Sequence, residues 1–453
     1  MTDVFPPRSG GSGWSTFYLG KALAERGHEV RVLRPGYGEN VPRPALRADT
    51  YEGMSVEWVL VPPAPRWAQK VGLAKAWQER VARRLLAKRA CKLAMMGKAD
   101  VLHGQHKVSA GAASIAARGA RARGAKVVSV ATVRDYWPLC PVSTRLFTVP
   151  SVGTFECREC HKFWHYAGAL VFPLRLGPMQ KLYWPSLFFS GLRKALKVRA
   201  VHLAFALPRW LATLANSRLL AQCDAVVGVS RYVRDELAMS GRVEGTKLHS
   251  IPNLVHLPSV ERALSGAWPL SDVSQQDDFA LFVGKLDENK GADMLPVTNL
   301  HMPIVVVGDG PEKKYLEIEG EGSSIDFRFY DWLDNDAILR LMRAARVLLF
   351  PSAWQEPLSR VLLEGCAAGA AIVALNTGGT ADIITHGESG WLAVDEAGFA
   401  EGARLVAKDD ALNRHLREGA RKRAETGFAA PVVSAQIEAL YASLLDDVGG
   451  RAS

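Results

Sequence analysis

Apolar positions along the chain switch between two periods, and the switches mark its elements. Residues 16–26 carry helical spacing that stops at Gly27, and residues 28–33 then alternate as a strand does. Ahead of that helix, Pro6-Pro7-Arg8-Ser9-Gly10-Gly11-Ser12-Gly13 reads as a loop. A glycine-rich loop that feeds a helix normally follows a strand, and here almost nothing precedes it. Either the first strand is cut short or the start lies upstream of Met1. Further strands are predicted at 100–103, 126–132, 225–229 and 247–251, with a helical pattern at 109–118 among them. Strands alternating with helices imply a parallel sheet covered on both faces.

Residues 258–278 are irregular and rich in Pro, Ser and Asp, as a linker would be. A second unit of the same class follows, with strands at 279–283, 304–307, 347–350 and 371–375 and helices at 337–345 and 357–368. The pattern divides the chain into a first domain over 1–257, a linker over 258–278, a second domain over 279–430 and a C-terminal amphipathic helix from 431 to 453. Two such units place a cleft between the carboxyl ends of their sheets, where ligands collect.

Composition agrees with a folded protein: 453 residues, 48% hydrophobic and 23% charged, too long for one core. The first residues lack the apolar stretch of a secretory signal, and no uncharged run is long enough to span a bilayer. Six cysteines do not make a disulfide scaffold in a chain of this size, which leaves a reducing, cytoplasmic setting as the expectation. The net charge of +10 asks for an anionic partner. Its distribution is uneven. From Cys160 to Cys223 there is no Asp or Glu, and basic residues such as Lys162, Lys181, Arg193 and Lys197 are interleaved with Trp164, Tyr166, Tyr183 and Trp184. Residues 66–98 carry ten Lys or Arg and one acid, Glu79, with Trp67 and Trp77. Such interleaving suits an anionic membrane surface. The plainer alternative is a helical insertion near 160–223 that packs on its domain and keeps a solvated basic face. Nucleic acid is not expected as a partner, because no recognition module accompanies the charge.

The densest chemistry lies at 351–364, Pro-Ser-Ala-Trp-Gln-Glu-Pro-Leu-Ser-Arg-Val-Leu-Leu-Glu. Pro357 suits the first turn of a helix, which would leave the N–H groups of Leu358, Ser359 and Arg360 free to meet a phosphate. Glu356 stands at the mouth of that helix and Glu364 two turns along. Carboxylates read sugar hydroxyls well and phosphates badly, so the arrangement suits a ligand with both parts. Lys285 and Lys290, just beyond the strand at 279–283, supply charge for a diphosphate. Taken singly, each feature has a plain reading: glutamates eight apart arise by chance, and loop lysines are usually solvated. Asp334-Asn335-Asp336 spells a metal-type carboxylate pair but stands directly before a helix, where a cap explains it better.

In combination these motifs resemble the family 4 retaining glycosyltransferases of the GT-B fold. The resemblance runs in order through Gly284-Lys285, Lys290-Gly291, Val307-Gly308-Asp309-Gly310-Pro311, Pro351-Ser352, the Glu356/Glu364 pair, Ala367-Ala368-Gly369, Thr377-Gly378-Gly379, Gly387 and Gly390. It implies an α/β protein with two Rossmann-like, doubly wound domains facing a central cleft, and a nucleotide-diphosphate sugar as donor. By the same resemblance Glu356 contacts the transferred sugar, Glu364 the ribose, and Lys285 with Lys290 the diphosphate. Gly284, Gly308, Leu358 and Ser359 fall on the donor side, and Gly10 and Gly11 match the loop that approaches the diphosphate or the acceptor. No metal is required for front-face attack by the acceptor hydroxyl. The acceptor is then expected to be lipid-linked or a growing glycan, met on the inner face of the cell membrane. A different GT-B enzyme, such as a nucleotide-sugar epimerase, and a non-catalytic nucleotide-sugar-binding subunit stand as alternatives.

Three positions depart from the family. Relatives usually carry Arg in place of Lys285, Gly in place of Ser359 and His in place of Arg134. Arg134 adds a permanent cation and removes a titrating group. Asp135 is a candidate for orienting Arg134 or the acceptor. Cys140, Cys157 and Cys160 with His161 are candidates for a structural zinc site, against a cluster of reduced or partly paired cysteines. His103 and His106, at a strand end facing the cleft, read as structural.

Overall fold

The computed structural model describes residues 1–453 apart from 8, 39–40, 42, 71–72, 142, 144–145, 150–152, 157–191, 323–324 and 451–453. In the first half, β1 (Arg31–Gly36), β2 (Ala45–Tyr51) and β3 (Met54–Leu60) form a sheet of order β1-β3-β2, with β1 parallel and β2 antiparallel to β3. A second, all-parallel sheet of order β4-β5-β8-β9 contains β4 (Val101–Gly104), β5 (Val128–Val133), β8 (Ala225–Gly228) and β9 (Leu248–Ser250). A hairpin of β6 (Leu146–Val149) and β7 (Gly153–Glu156) lies between β5 and β8 in the chain.

Thr2 N donates to Leu33 O of β1 (3.0 Å), while Gln105 N, one residue past β4, donates to Met1 O (3.0 Å). Met1 and Thr2 therefore occupy the strand position between the two sheets. The chain order reverses at this stub, with β1 on one side and β4 on the other, and the glycine-rich segment emerges beside it.

The second half builds one six-stranded parallel sheet, β12-β11-β10-β13-β14-β15, from β10 (Ala280–Val283), β11 (Ile304–Val307), β12 (Phe327–Tyr330), β13 (Val347–Phe350), β14 (Ile372–Leu375) and β15 (Trp391–Ala393). Counted within this half the order is 3-2-1-4-5-6, the doubly wound arrangement whose ligand crevice opens between its first and fourth strands. β10, β11, β13 and β14 are apolar and buried at every position because helices cover both faces.

The α/β class and the parallel sheets match expectation; several boundaries do not. The first helix is Gly11–Glu25, so its glycines form its first turn and are not a loop ahead of it. The strand expected at 28–33 lies three residues later, as β1. The span 258–278 is not irregular throughout, since the helix Leu257–Leu264, capped by His256, takes its first part. The C-terminal helix Ala430–Gly450 returns to the first half. There Val433, Ile437 and Leu440 pack with Leu19, Leu23, Val130 and Val227. No helix among the described residues is long and apolar enough to cross a membrane.

Candidate functional site

The crevice between β10 and β13 receives the loops that carry the motifs. Gly284 follows β10, Pro351 follows β13, and a cavity of about 180 Å³ opens there, walled by Gly284, Lys290, Glu356, Ser359, Arg360 and Val361 among others. Gly308, past β11, has φ +139°, and a Cβ there would lie 1.9 Å from the Gly284 carbonyl oxygen, so only glycine lets these two turns meet.

Glu356 is 6% exposed and forms an ion pair with Lys290 inside this cavity. Ser352 Oγ lies 3.3 Å from the same carboxylate oxygen. Its loop is pinned on three sides. Trp354 N donates to Asn289 O (3.1 Å), Gly379 N donates to Glu356 O (2.6 Å), and Gly378 N donates to Gln355 Oε1 (2.9 Å). A Cβ at Gly378, where φ is +53°, would meet the Glu356 carbonyl at 2.4 Å. Lys290 Nζ also stands 4.8 Å from the centre of the Trp354 ring. The carboxylate and its cation are thus held by backbone contacts from two neighbouring loops.

The helix carrying Glu364 begins at Arg360, not at Pro357, and Ser359 is its N-cap. The Ser359 hydroxyl accepts from Leu362 N (3.4 Å), and the first intrahelical bond runs from Leu363 N to Ser359 O. Serine in the family's glycine position therefore caps the helix, and Arg360 and Val361 are the residues whose N–H groups lead it. Glu364 is buried, at 6% exposure, with Arg360 Nε 2.8 Å from its Oε1. That pair has the distance of a salt bridge but lacks hydrogen-bond alignment, and Glu364 Oε1 makes no hydrogen bond among the described residues.

From the first half, Gly10 caps and Gly11 begins the first helix, and Gly11 faces Arg360: a Cβ there would lie 3.2 Å from Arg360 Cδ. Arg134 does not hydrogen-bond Asp135. It donates to Asn253 Oδ1 (3.1 Å) and Gln105 O (3.0 Å). Burial and then the like charge of Arg360 push its guanidinium down to about 9, which leaves it charged at neutral pH. Asp135 accepts from Trp137 N (2.8 Å), and burial pushes its carboxyl up to about 6. Tyr136, next in the chain, donates from its hydroxyl to Gln355 O (2.5 Å) and so ties the first half to the loop of Glu356.

Lys285 is not brought into the cavity wall. Its side chain is 61% exposed and pairs with Asp287 (2.5 Å). The ring nitrogens of His103 meet Tyr441 Oη (2.6 Å) and Thr132 Oγ1 (2.7 Å), as a structural role would have them. His106 is the N-cap residue of the helix Lys107–Arg121, and Asp3 accepts from Val108 N and Ser109 N in its first turn. Burial lowers both imidazoles, that of His106 to about 3. Asp334 accepts from Ala337 N (2.7 Å) as the helix cap expected of it. Of the zinc candidates, Cys140 is buried, while Cys157, Cys160 and His161 lie outside the described residues. The side chains of Arg360 and Tyr136 were not singled out by sequence. An arginine in a helical first turn reads as solvated until a second domain is set against it.

Two family models match the chain. "Glycosyl transferases group 1" spans residues 271–423 and "Glycosyltransferase Family 4" spans residues 9–155. Among curated proteins, it is 26% identical over 240 residues to a glycogen synthase of Mycobacterium tuberculosis, covering 50% of this chain and 56% of the relative. It is 30% identical over 226 residues to a phosphatidyl-myo-inositol mannosyltransferase of Mycolicibacterium smegmatis, covering 47% and 57%. The chain spans about half the length of the curated relatives it matches. Among solved structures, Anabaena HepE in complex with UDP and glucose superposes with a TM-score of 0.58 at 15% identity, covering 98% of each chain. That likeness extends over both halves and identifies the fold as GT-B.

Proposed function

The chain belongs to the family 4 glycosyltransferases, and from that premise we propose that it moves a sugar from a nucleotide-diphosphate donor to a lipid-linked or glycan acceptor, with retention of configuration. The observation that carries this reading is the Glu356–Lys290 pair, held in a cavity at the switch point of a doubly wound sheet. A buried carboxylate offers acceptors to sugar hydroxyls, and the adjacent ammonium offers charge to a phosphate. Transfer then needs no protein nucleophile and no metal: the acceptor hydroxyl attacks from the face that the diphosphate leaves, while cations around the cavity stabilise the leaving group.

The acceptor side rests on surface chemistry. In the helix Ala74–Met95, the side of Ala82, Leu86, Ala90 and Leu93 is buried against the first domain. Arg80, Arg84, Lys88 and Lys92, spaced by four, are exposed along the other side. Trp67, just upstream, is 59% exposed. A row of cations with a nearby exposed tryptophan suits an anionic bilayer. The phosphatidyl-myo-inositol mannosyltransferase among the relatives is named for a lipid acceptor. The enzyme would then work at the inner face of the cell membrane.

The test is donor selection followed by turnover. UDP-, GDP-, ADP- and dTDP-sugars are compared for the rise in melting temperature they produce, and the best donor is assayed for transfer to lipid extracts. One donor class should stabilise the protein clearly above the rest. Stabilisation by none would sink the enzyme reading.

A further inference from the structure

We propose that Arg360 binds the donor's diphosphate, in the place that the family resemblance gives to Lys285, and that Glu364 holds it ready in this structure. The proposal rests on the nucleotide-diphosphate donor argued above and adds to it the residue that recognises the phosphates.

Arg360 begins a helix of the second half, yet its side chain crosses the cleft and is only 18% exposed. Its Cδ packs where a Cβ on Gly11 would be, Nη1 lies 3.5 Å from Ser15 Oγ, and the guanidinium stands 5.3 Å from the centre of the Tyr18 ring. The same residue walls the cavity with Lys290 and Glu356. It is therefore the cation that touches the glycine-rich first helix and the donor cavity at once.

Its polar contacts are poor for a group so placed. The bond to Ser15 is long, and the pair with Glu364 lacks alignment, leaving Glu364 Oε1 buried without a hydrogen bond. A guanidinium presents a planar fork that fits two phosphate oxygens, which an ammonium does not. The charge of Arg360 is felt unfavourably at Arg134 in the first half, and an anion bound by Arg360 lessens that repulsion. Lys285 is outside the cavity wall, exposed and paired with Asp287. When nucleotide binds, the ribose hydroxyls take Glu364 and the phosphates take Arg360. One misaligned ion pair is exchanged for two sets of aligned bonds, and Gly11 and Ser15 are drawn toward the donor.

The experiment is calorimetric titration of the full chain with UDP, UMP and uridine, or the guanine set if wild type prefers it, on wild type, Arg360→Leu, Arg360→Lys and Lys285→Leu. Melting temperatures confirm that each variant is folded. Arg360→Leu should weaken the diphosphate about tenfold or more while changing the nucleoside little, Arg360→Lys should fall between, and Lys285→Leu should cost less. Equal loss for diphosphate and nucleoside would make Arg360 a mere prop for Glu364 and overturn the proposal. A larger loss in Lys285→Leu would overturn it too. Failure of wild type to bind any of UDP, GDP, ADP or dTDP would instead strike the donor reading beneath it.

Discussion

Lys290 and Glu356 form an ion pair between the loop after β10 and the loop after β13, across the switch point of the second sheet. Neither has a second charge of opposite sign against it among the described ion pairs, so removing one leaves the other alone in a largely buried place. Glu356→Gln keeps the shape and removes the charge. Transfer should fall about a hundredfold or more with the fold intact, because on the proposed reading the group lost meets the reacting sugar. Steady-state turnover beside a melting curve checks this. Full turnover in the variant would remove Glu356 from the site.

The Tyr136 hydroxyl bonded to the Gln355 carbonyl is the second relationship that reaches Glu356, this time from the other domain. Tyr136→Phe deletes one hydrogen bond and leaves a carbonyl oxygen short of a donor, at a cost of about 1–2 kcal/mol. Because Glu356 is the next residue, the loss should appear in catalysis as well as in stability. The expected outcome is a melting temperature lower by a few degrees with a raised KM for the donor. A variant with lower stability and unchanged donor kinetics would confine Tyr136 to a structural role.

Sequence reached these sites unevenly, for physical reasons. Fully apolar strands such as Ile304–Val307 announce themselves, since a strand buried on both faces has no polar alternation to hide in. Glu356 and Glu364 could be singled out as candidates because their spacing and neighbours form an ordered set. The start of the helix at Arg360 was not. Pro357 fits a first turn well, but Ser359 caps the helix two residues later, and capping competes with proline's preference. Met1 and Thr2 hold their place between the two sheets by backbone hydrogen bonds to Gln105 and Leu33, and two residues are too few for a periodicity to show. Arg360 and Tyr136 act through partners hundreds of residues away, so no local pattern marks them.

Asp135 gives a prediction in pH. Its carboxyl is raised from 3.8 to about 6, first by burial, against the opposing bond from Trp137 N. A carboxyl raised on folding contributes stability that is fully present below its unfolded pKa and lost as pH rises through 6. At pH 8 the folded protein holds this carboxylate charged at a cost of about 3 kcal/mol. Asp135→Asn removes that cost and keeps an oxygen for Trp137 N. The variant should melt higher than wild type at pH 8, and the gain should shrink as pH falls from 7 to 5. Thermal melts of both proteins across that range test it. A difference that does not vary with pH would mean that Asp135 is not held at a raised pKa.

The exposed cations of the helix Ala74–Met95 make the membrane reading measurable. Arg80, Arg84, Lys88 and Lys92 are all exposed and share one side of the helix, opposite the alanines and leucines that pack inward. Each basic residue near an anionic surface contributes about 1 kcal/mol at moderate ionic strength. Replacing all four with glutamine should weaken binding to phosphatidylglycerol vesicles by roughly two orders of magnitude or more. The helix should survive, because its buried side is unchanged. Trp67→Ala tests the apolar part of the same surface and should weaken binding less, with little dependence on salt. Co-sedimentation with vesicles at 50 and 300 mM salt separates the two terms, since only the charge term is screened. If wild type ignores anionic vesicles even at the lower salt, the acceptor does not come to this enzyme on a membrane through this helix. The cationic row would then be a solvated face, as it is on many helices.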